Sequence, residues 1–438
     1  MKKNLDFKGQ GLRNKIIYQA FVRNYTESGT FKEFEEHLQY IKDLGTDILY
    51  LLPVNPIGKK ARKGVLGSPY AIKDYMSINR ELGTLKDFTH LIEKTHKLEM
   101  KLMIDVVFNH TSRDAKLLKE HPEWFYKDIN GKFGNKAGDW ADVYDLDFTS
   151  PGLAEYILGV LEYYCSLGVD GFRFDVASLV GSSLYELIKT KLLKKYPNTI
   201  LLAESVHSEF TKYLRTQDFH ALCDAQLAEY GFDLLYGYNT FGSFEEFFRK
   251  KNERYLDHYR LLLSLEEAHN PAELLRSRGF ENHDQPRLIQ LTKDSNYMKN
   301  LAAMPVFMKG PMFIYNGLET KADHQLSLFD KDLLDLTIDK EWLKFITSLI
   351  QFKKNDRNLE LVSTQVDLNE GLSIVMKNIY KTHKDLLGIF IFGTKKIKVT
   401  SSFLLDGKYK NYFDGQIYTV KKNSIKTNGP LILERLDK

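Results

Sequence analysis

From Ile16 onward the chain alternates short apolar runs with longer amphipathic stretches, and eight such runs pass before the pattern changes. They fall at residues 16–21, 47–53, 101–108, 171–175, 200–204, 232–236, 279–282 and 312–315. Between them, residues 31–44, 85–98, 151–167, 182–195, 244–263 and 295–307 carry apolar side chains at three- and four-residue spacing, which predicts helices. Thr84, after Gly83, is placed to cap the second of these. Strand and helix in regular alternation predict an α/β fold, a parallel (β/α)8 barrel of the TIM type. Such a barrel takes roughly 250 residues or more. A chain of 438 residues therefore holds one barrel and a smaller second domain.

Two stretches depart from the rhythm. Residues 109–147 are long, polar and aromatic, with Pro122, Gly131, Gly134 and Gly138, which predicts a functional excursion or small inserted domain after strand 3. After about Lys354 the runs become short and β-rich, at 373–376, 387–392, 397–400 and 417–420, with Gly, Asn and Asp turns between them. That pattern predicts a C-terminal all-β sandwich. The expected division is a barrel over 1–108 and 148–354, an inserted domain over 109–147 and a β domain over 355–438.

Composition narrows the function. A formal charge of +4 is small beside 62 basic and 58 acidic side chains, so nucleic acid is not an expected partner. Only Cys165 and Cys223 are present, at no metal-like spacing, which gives a disulfide framework or zinc site no support. The start, residues 1–10, is basic with no apolar stretch behind it, and no run of about 18 apolar residues occurs. A cytoplasmic protein without a membrane span is expected, although a mature exported chain would look the same.

Four strings carry the chemistry: Asp105-Val-Val-Phe-Asn-His110, Gly171-Phe-Arg-Phe-Asp-Val-Ala177, Leu201-Leu-Ala-Glu-Ser205 and Phe280-Glu-Asn-His-Asp-Gln-Pro-Arg287. In a barrel the active site lies at the carboxyl ends of the strands. Asp105, Asp175, Glu204 and Asp284 come from the third, fourth, fifth and seventh candidate strands or their ends, so four acids are expected at one mouth. Cleaving an acetal needs a proton for the leaving oxygen and an anion facing the developing oxocarbenium carbon, which two carboxyl groups in different environments supply. Arg173 lies two residues before Asp175, on the same strand face, where a fixed cation would hold Asp175 ionised.

Taken in order, the four strings resemble the signature regions of the α-amylase family of glycoside hydrolases, glycoside hydrolase family 13. The resemblance implies Asp175 as nucleophile, Glu204 as acid/base and Asp284 as the third acid that steadies the distorted sugar through its hydroxyls. It places Tyr70, Asp105, His110, Arg173, His283 and Arg287 among the substrate-binding residues, with Tyr70, in Gly67-Ser-Pro-Tyr-Ala, stacking on the same sugar. A retaining mechanism follows, with nucleophile and acid/base roughly 5 to 5.5 Å apart. No cofactor is needed for the chemistry. Val143-Tyr-Asp-Leu-Asp-Phe148 is similar to a fifth family region, and Asn109 and Asp145 match positions that bind structural calcium in many amylases. Leu179 stands where the family supplies a backbone carbonyl. Calcium takes six to eight oxygens, and the short excursion lacks the remaining carboxylates, so a direct hydrogen bond from Asn109 to its neighbours is the expectation.

Linkage preference lies outside these strings. Val176-Ala-Ser-Leu179 lacks the Lys-His pair of many endo-acting amylases, and together with Asn282-His-Asp-Gln-Pro-Arg287 it is more similar to the oligo-1,6-glucosidase branch. Asp105-Val-Val-Phe-Asn-His110 and the short excursion are more similar to amylases and neopullulanases. The expected activity is retaining hydrolysis of α-glucans or maltooligosaccharides. An exo-acting α-glucosidase, a transglycosylase using the same intermediate, and a catalytically silent glucan-binding or scaffold relative are the alternatives. Gly58-Lys-Lys-Ala-Arg-Lys-Gly64 is expected as a solvated loop on the active-site face and His121-Pro-Glu-Trp-Phe-Tyr126 as packing of the excursion, with Trp124 or Trp140 at the edge of the cleft as the alternative.

Overall fold

Eight parallel strands make a near-closed barrel sheet: β1 Ile16–Ala20, β2 Ile48–Leu51, β3 Lys101–Val106, β4 Gly171–Phe174, β5 Ile200–Ala203, β6 Leu234–Tyr236, β7 Leu275–Ser277 and β8 Met312–Tyr315. An antiparallel C-terminal domain follows. The computed structural model describes residues 7–138, 140–269 and 274–436, so part of the basic start lies outside the described residues. Among the described residues no helix is long and apolar enough to cross a membrane. The chain divides into two compact units, one of residues 17–236 and 326–334, the other of 1–16, 237–325 and 335–438.

In the first unit β1 to β6 pair in parallel, each with the next. Their residues are buried almost throughout, because a parallel strand has apolar neighbours on both faces. The helix Leu85–Lys97 opens on the expected cap. Thr84 Oγ1 accepts from the Asp87 amide at 3.2 Å and Asp87 Oδ2 accepts from the Thr84 amide at 2.8 Å, a reciprocal capping box. In the excursion, His110–Ser112 and Val143–Asp145 pair as short antiparallel strands. Trp124 is buried there, stacked on His121 at 3.8 Å with its Nε1 donating to the Pro151 carbonyl at 2.9 Å.

The second unit shifts one expected element. The seventh strand is Leu275–Ser277, and residues 279–282, expected as that strand, are irregular chain beyond its end. Two arginines hide the strand in the sequence. Arg276 and Arg278 read as polar linker, yet both are largely buried, at 3.3 Å and 2.7 Å from the Glu266 carboxylate. The helix expected over 244–263 is two, Tyr238–Lys250 and Glu253–His269, broken where Lys251 turns left-handed at φ +50°. A helix not expected, Lys340–Lys354, is capped by Asp339.

The C-terminal domain is a sandwich. A six-stranded sheet runs in the spatial order Leu361–Val366, Ser373–Tyr380, Leu386–Ile391, Leu431–Arg435, Gly407–Asn411, Ile417–Val420, and Ile397–Thr400 pairs with Ser424–Thr427 in a second sheet. Val399 and Ile425 of the small sheet share a core with Ile389, Ile391 and Leu433 of the large one. Within this unit Asn300, on the helix Ser295–Phe307, accepts from the Ile391 amide at 2.8 Å and donates to the Asn428 carbonyl at 3.0 Å.

Candidate active site

Strand register sets the layout. Asp105 on β3 is level with Arg173 on β4, and Arg173 with Leu202 on β5. Past the strand ends the pattern continues, with the Asp175 amide donating to Val106 O at 2.9 Å and the Glu204 amide to Phe174 O at 3.0 Å. Neighbouring strand ends therefore carry Asp105, Asp175 and Glu204 to one place.

One guanidinium holds them. Arg173 Nη1 donates to Asp105 Oδ1 at 2.9 Å, to Asp105 Oδ2 at 3.0 Å and to Asp175 Oδ1 at 3.0 Å, and Nη2 stands 2.9 Å from Glu204 Oε2. Burial alone would pull the Arg173 pKa down, but Asp105 and Glu204 outweigh it and leave it well above the ordinary value. The cation is fixed at any working pH. Arg173 and Asp105, expected to bind substrate, have no solvent exposure at all. In this arrangement the Arg173 guanidinium contacts three carboxylates.

Glu204 has a second donor. Val176 sits in the left-handed region at φ +43°, a costly place for a β-branched residue, and from there its amide donates to Glu204 Oε2 at 2.8 Å. Oε2 thus faces both Arg173 and the Val176 amide. Val176 packs with Leu179, Leu214 and Ala221, with Trp140 and Phe210 beside them, which helps hold the strained backbone.

Tyr70, half-buried on the loop after β2, donates its hydroxyl to Asp105 Oδ2 at 2.9 Å. His110 Nε2 lies 3.9 Å from Asp175 Oδ2, and burial pulls the imidazole pKa down to about 4, leaving the ring neutral near pH 7. Trp140 tilts against the His110 ring at 5.4 Å and also meets Ile57 and Ala71. It borders the cluster, whereas Trp124 packs the excursion. The basic run after β2 holds its own loop: Arg62 donates to the carbonyls of Gly58 and Val65, and Lys63 pairs at 3.0 Å with the buried Asp142 of the excursion.

The other unit gathers the remaining candidates after β7. His283 is buried with Nε2 at 3.0 Å from Asp284 Oδ2, and the Asp284 carboxylate is well exposed. Asn282 Oδ1 accepts from the amides of Asp284 and Gln285 at 2.8 and 2.9 Å, a turn that projects Asp284 outward. Arg287, expected at the substrate, is fully buried. Its Nη1 donates to Glu281 Oε1 at 2.9 Å, Nη2 to Asn316 O at 2.9 Å and Nε to His324 O at 3.1 Å. It braces the loop.

Sequence reasoning missed four contributors: the Tyr50 hydroxyl, which donates to Asp105 Oδ2 at 2.7 Å, the Tyr236 ring at 5.5 Å from the Arg173 guanidinium, the Val176 amide, and Glu281. For the two tyrosines a signal existed, since a phenol inside an apolar strand needs a partner for its hydroxyl.

Calcium does not fit the residues at the family position. Asp145 Oδ1 accepts from Asn135 Nδ2 at 3.0 Å and Oδ2 from the Lys136 amide at 2.7 Å, and the Lys136 ammonium acts on the same carboxylate. Asn109 Nδ2 lies 3.1 Å from His110 Nδ1, as the expected local bond requires. Its Oδ1, buried without a hydrogen-bond partner among the described residues, is a single oxygen where calcium takes six to eight. Among the described residues no three His, Cys, Asp or Glu side chains gather as a metal group.

Residues 15–360 match the model of the alpha amylase catalytic domain, and residues 369–433 that of the bacterial alpha amylase C-terminal domain. A crystal structure of an alpha-amylase from Lactobacillus plantarum is 39% identical with a TM-score of 0.86, over 97% of this chain and 99% of that one. A maltogenic alpha-amylase from Thermotoga neapolitana is 28% identical with a TM-score of 0.84, over 98% and 100%. Among curated relatives, a probable oligo-1,6-glucosidase of Bacillus subtilis is 24% identical over 69% of this chain and 64% of its own length. An alpha-1,4-glucan:maltose-1-phosphate maltosyltransferase of Picrophilus torridus is 27% identical over 53% of this chain, and the match spans only 38% of that longer protein. The chain belongs to the alpha-amylase family of glycoside hydrolases, enzymes of glycosidic bonds whose chemistry needs no cofactor.

Proposed function

We propose that this enzyme is a cytoplasmic retaining hydrolase of α-glucosidic bonds in α-glucans or maltooligosaccharides. The observation that carries the reading is the single buried guanidinium shared by Asp105, Asp175 and Glu204. Two carboxyl groups on the two ends of one guanidinium suit the retaining spacing of roughly 5 to 5.5 Å. Three carboxyl groups around one fixed positive charge favour a state in which one keeps its proton. Glu204 is assigned that proton. Its Oε2 faces two donors, so the proton is assigned to Oε1.

In the first step an Asp175 oxygen attacks the anomeric carbon, the glycosidic C–O bond breaks, and the Glu204 proton passes to the leaving oxygen. In the second, water gives its proton to Glu204 and its oxygen to the anomeric carbon, and the bond to Asp175 breaks. His110 and His283 are proposed to hydrogen-bond the sugar before the cleaved bond, Asp284 to bind its hydroxyls, and Tyr70 to stack on it. The names of the relatives, an oligo-1,6-glucosidase and a maltosyltransferase among them, favour keeping exo-cleavage and sugar as acceptor as second readings.

A product time course on maltohexaose, panose, isomaltose and pullulan tests the proposal, with Asp175→Asn as the blank. Mid-length maltooligosaccharides are expected from the wild type and none from the blank. Glucose alone, from chain ends or isomaltose, would replace the amylase reading with the glucosidase one. Near wild-type turnover by Asp175→Asn would overturn the nucleophile assignment.

A further inference from the structure

The carboxyl cluster rests on an aromatic layer. Tyr50 lies on β2, paired in register with Met103, and its hydroxyl reaches Asp105 Oδ2 at 2.7 Å, the oxygen that also accepts from Tyr70. Tyr236 ends β6, and its ring and that of Tyr70 lie 5.5 and 5.8 Å from the Arg173 guanidinium. Tyr50 and Tyr236 are both buried, on two well-separated strands of the same unit. Burial pushes both hydroxyls well above the ordinary phenol range, so each remains protonated at working pH. The groups facing this layer are Asp105 from β3, Arg173 and Asp175 from β4, Glu204 from β5, and Tyr70 from the loop after β2.

We propose that Tyr50 and Tyr236 are positioning residues, a buried brace that fixes the Asp105–Arg173 pair and through it the direction in which Asp175 and Glu204 point. Arg173 has to serve three carboxylates with one planar fork, and a fork free to tilt would favour one at the expense of another. Tyr50 removes part of the demand of Asp105 by supplying a neutral donor. Tyr236 presents a ring to the guanidinium and limits its tilt. A charge array held in advance needs no reorganisation when the transition state forms. The inference rests on the proposed roles of Asp175 and Glu204.

The test is turnover per active site, counted by covalent titration, for Tyr50→Phe, Tyr236→Phe and Tyr236→Leu, beside Asp175→Asn assayed per mole of folded protein because it lacks the carboxylate to be titrated, with KM and melting temperature for each. Losing a hydrogen bond to a buried charge lowers kcat by roughly ten- to a hundredfold. That fall is expected for Tyr50→Phe, with KM within about threefold, since neither tyrosine touches substrate. Tyr236→Phe keeps the ring over Arg173 but removes the hydroxyl's hydrogen bond with Tyr50, so it should lose less of kcat than Tyr236→Leu, which should lose about as much as Tyr50→Phe. A purely packing role would lower the melting temperature and leave kcat per titrated site unchanged, and that result overturns the inference. An inactive Asp175→Asn beside a fully active Tyr50→Phe sinks the brace alone. An active Asp175→Asn sinks the proposed function beneath it.

Discussion

Arg173 is the residue on which the site turns. It is one of the largest fully buried side chains, and the three carboxylates share its guanidinium. Replacing it by Leu leaves buried carboxylates without their cation, which costs about 3 to 5 kcal/mol. Urea denaturation should show that loss, and Arg173→Lys should recover only part of it, because an ammonium cannot reproduce the fork. The Asp175–Arg173 relation was legible in the sequence from a spacing of two on a strand. The contributions of Tyr50 and Val176 were not. One depends on which strands become neighbours across the barrel interior, the other on a backbone conformation that no β-branched residue advertises. Arg287 is a motif residue whose buried guanidinium bonds Glu281 and the carbonyls of Asn316 and His324, partners that its spacing in the motif did not indicate.

At the level of elements, the rhythm of runs located the strands wherever the strand was apolar throughout. β1 to β5 lie inside the expected spans, and β8 coincides with its own. β7 failed because Arg276 within it and Arg278 just past its end both pair with Glu266, on the helix before the strand. Ion pairing of that kind is invisible to a hydrophobic pattern. The helix break at Lys251 escaped for a related reason, since the apolar periodicity continues on both sides while the backbone reverses. The excursion was legible as a loop of unusual length, but its Lys63–Asp142 tie to the loop after β2 joins two segments that only the fold brings together.

At the scale of the whole molecule, stability should carry the mark of one buried lysine. Lys353, on the helix Lys340–Lys354, is almost without exposure and donates to the carbonyls of Met308 and Gly310 at 2.8 Å each. Burial pulls its pKa down to about 7. Between pH 7 and the ordinary lysine range the unfolded chain binds a proton that the folded chain does not, so stability rises with pH across that window. It falls again as pH drops towards 7, with a slope of at most about 1.4 kcal/mol per pH unit. Melting curves at pH 7.5 and 9.5 should show the rise in the wild type, and Lys353→Met should flatten it.

The proposed covalent intermediate has one stereochemical consequence that a single displacement does not share. Proton NMR of the first product released from maltohexaose, recorded before the sugar mutarotates, reads it directly. The α-anomer appearing first is the predicted result, from two inversions through Asp175. The β-anomer appearing first would mean a single displacement by water, and would contradict Asp175 as nucleophile however well the cluster fits.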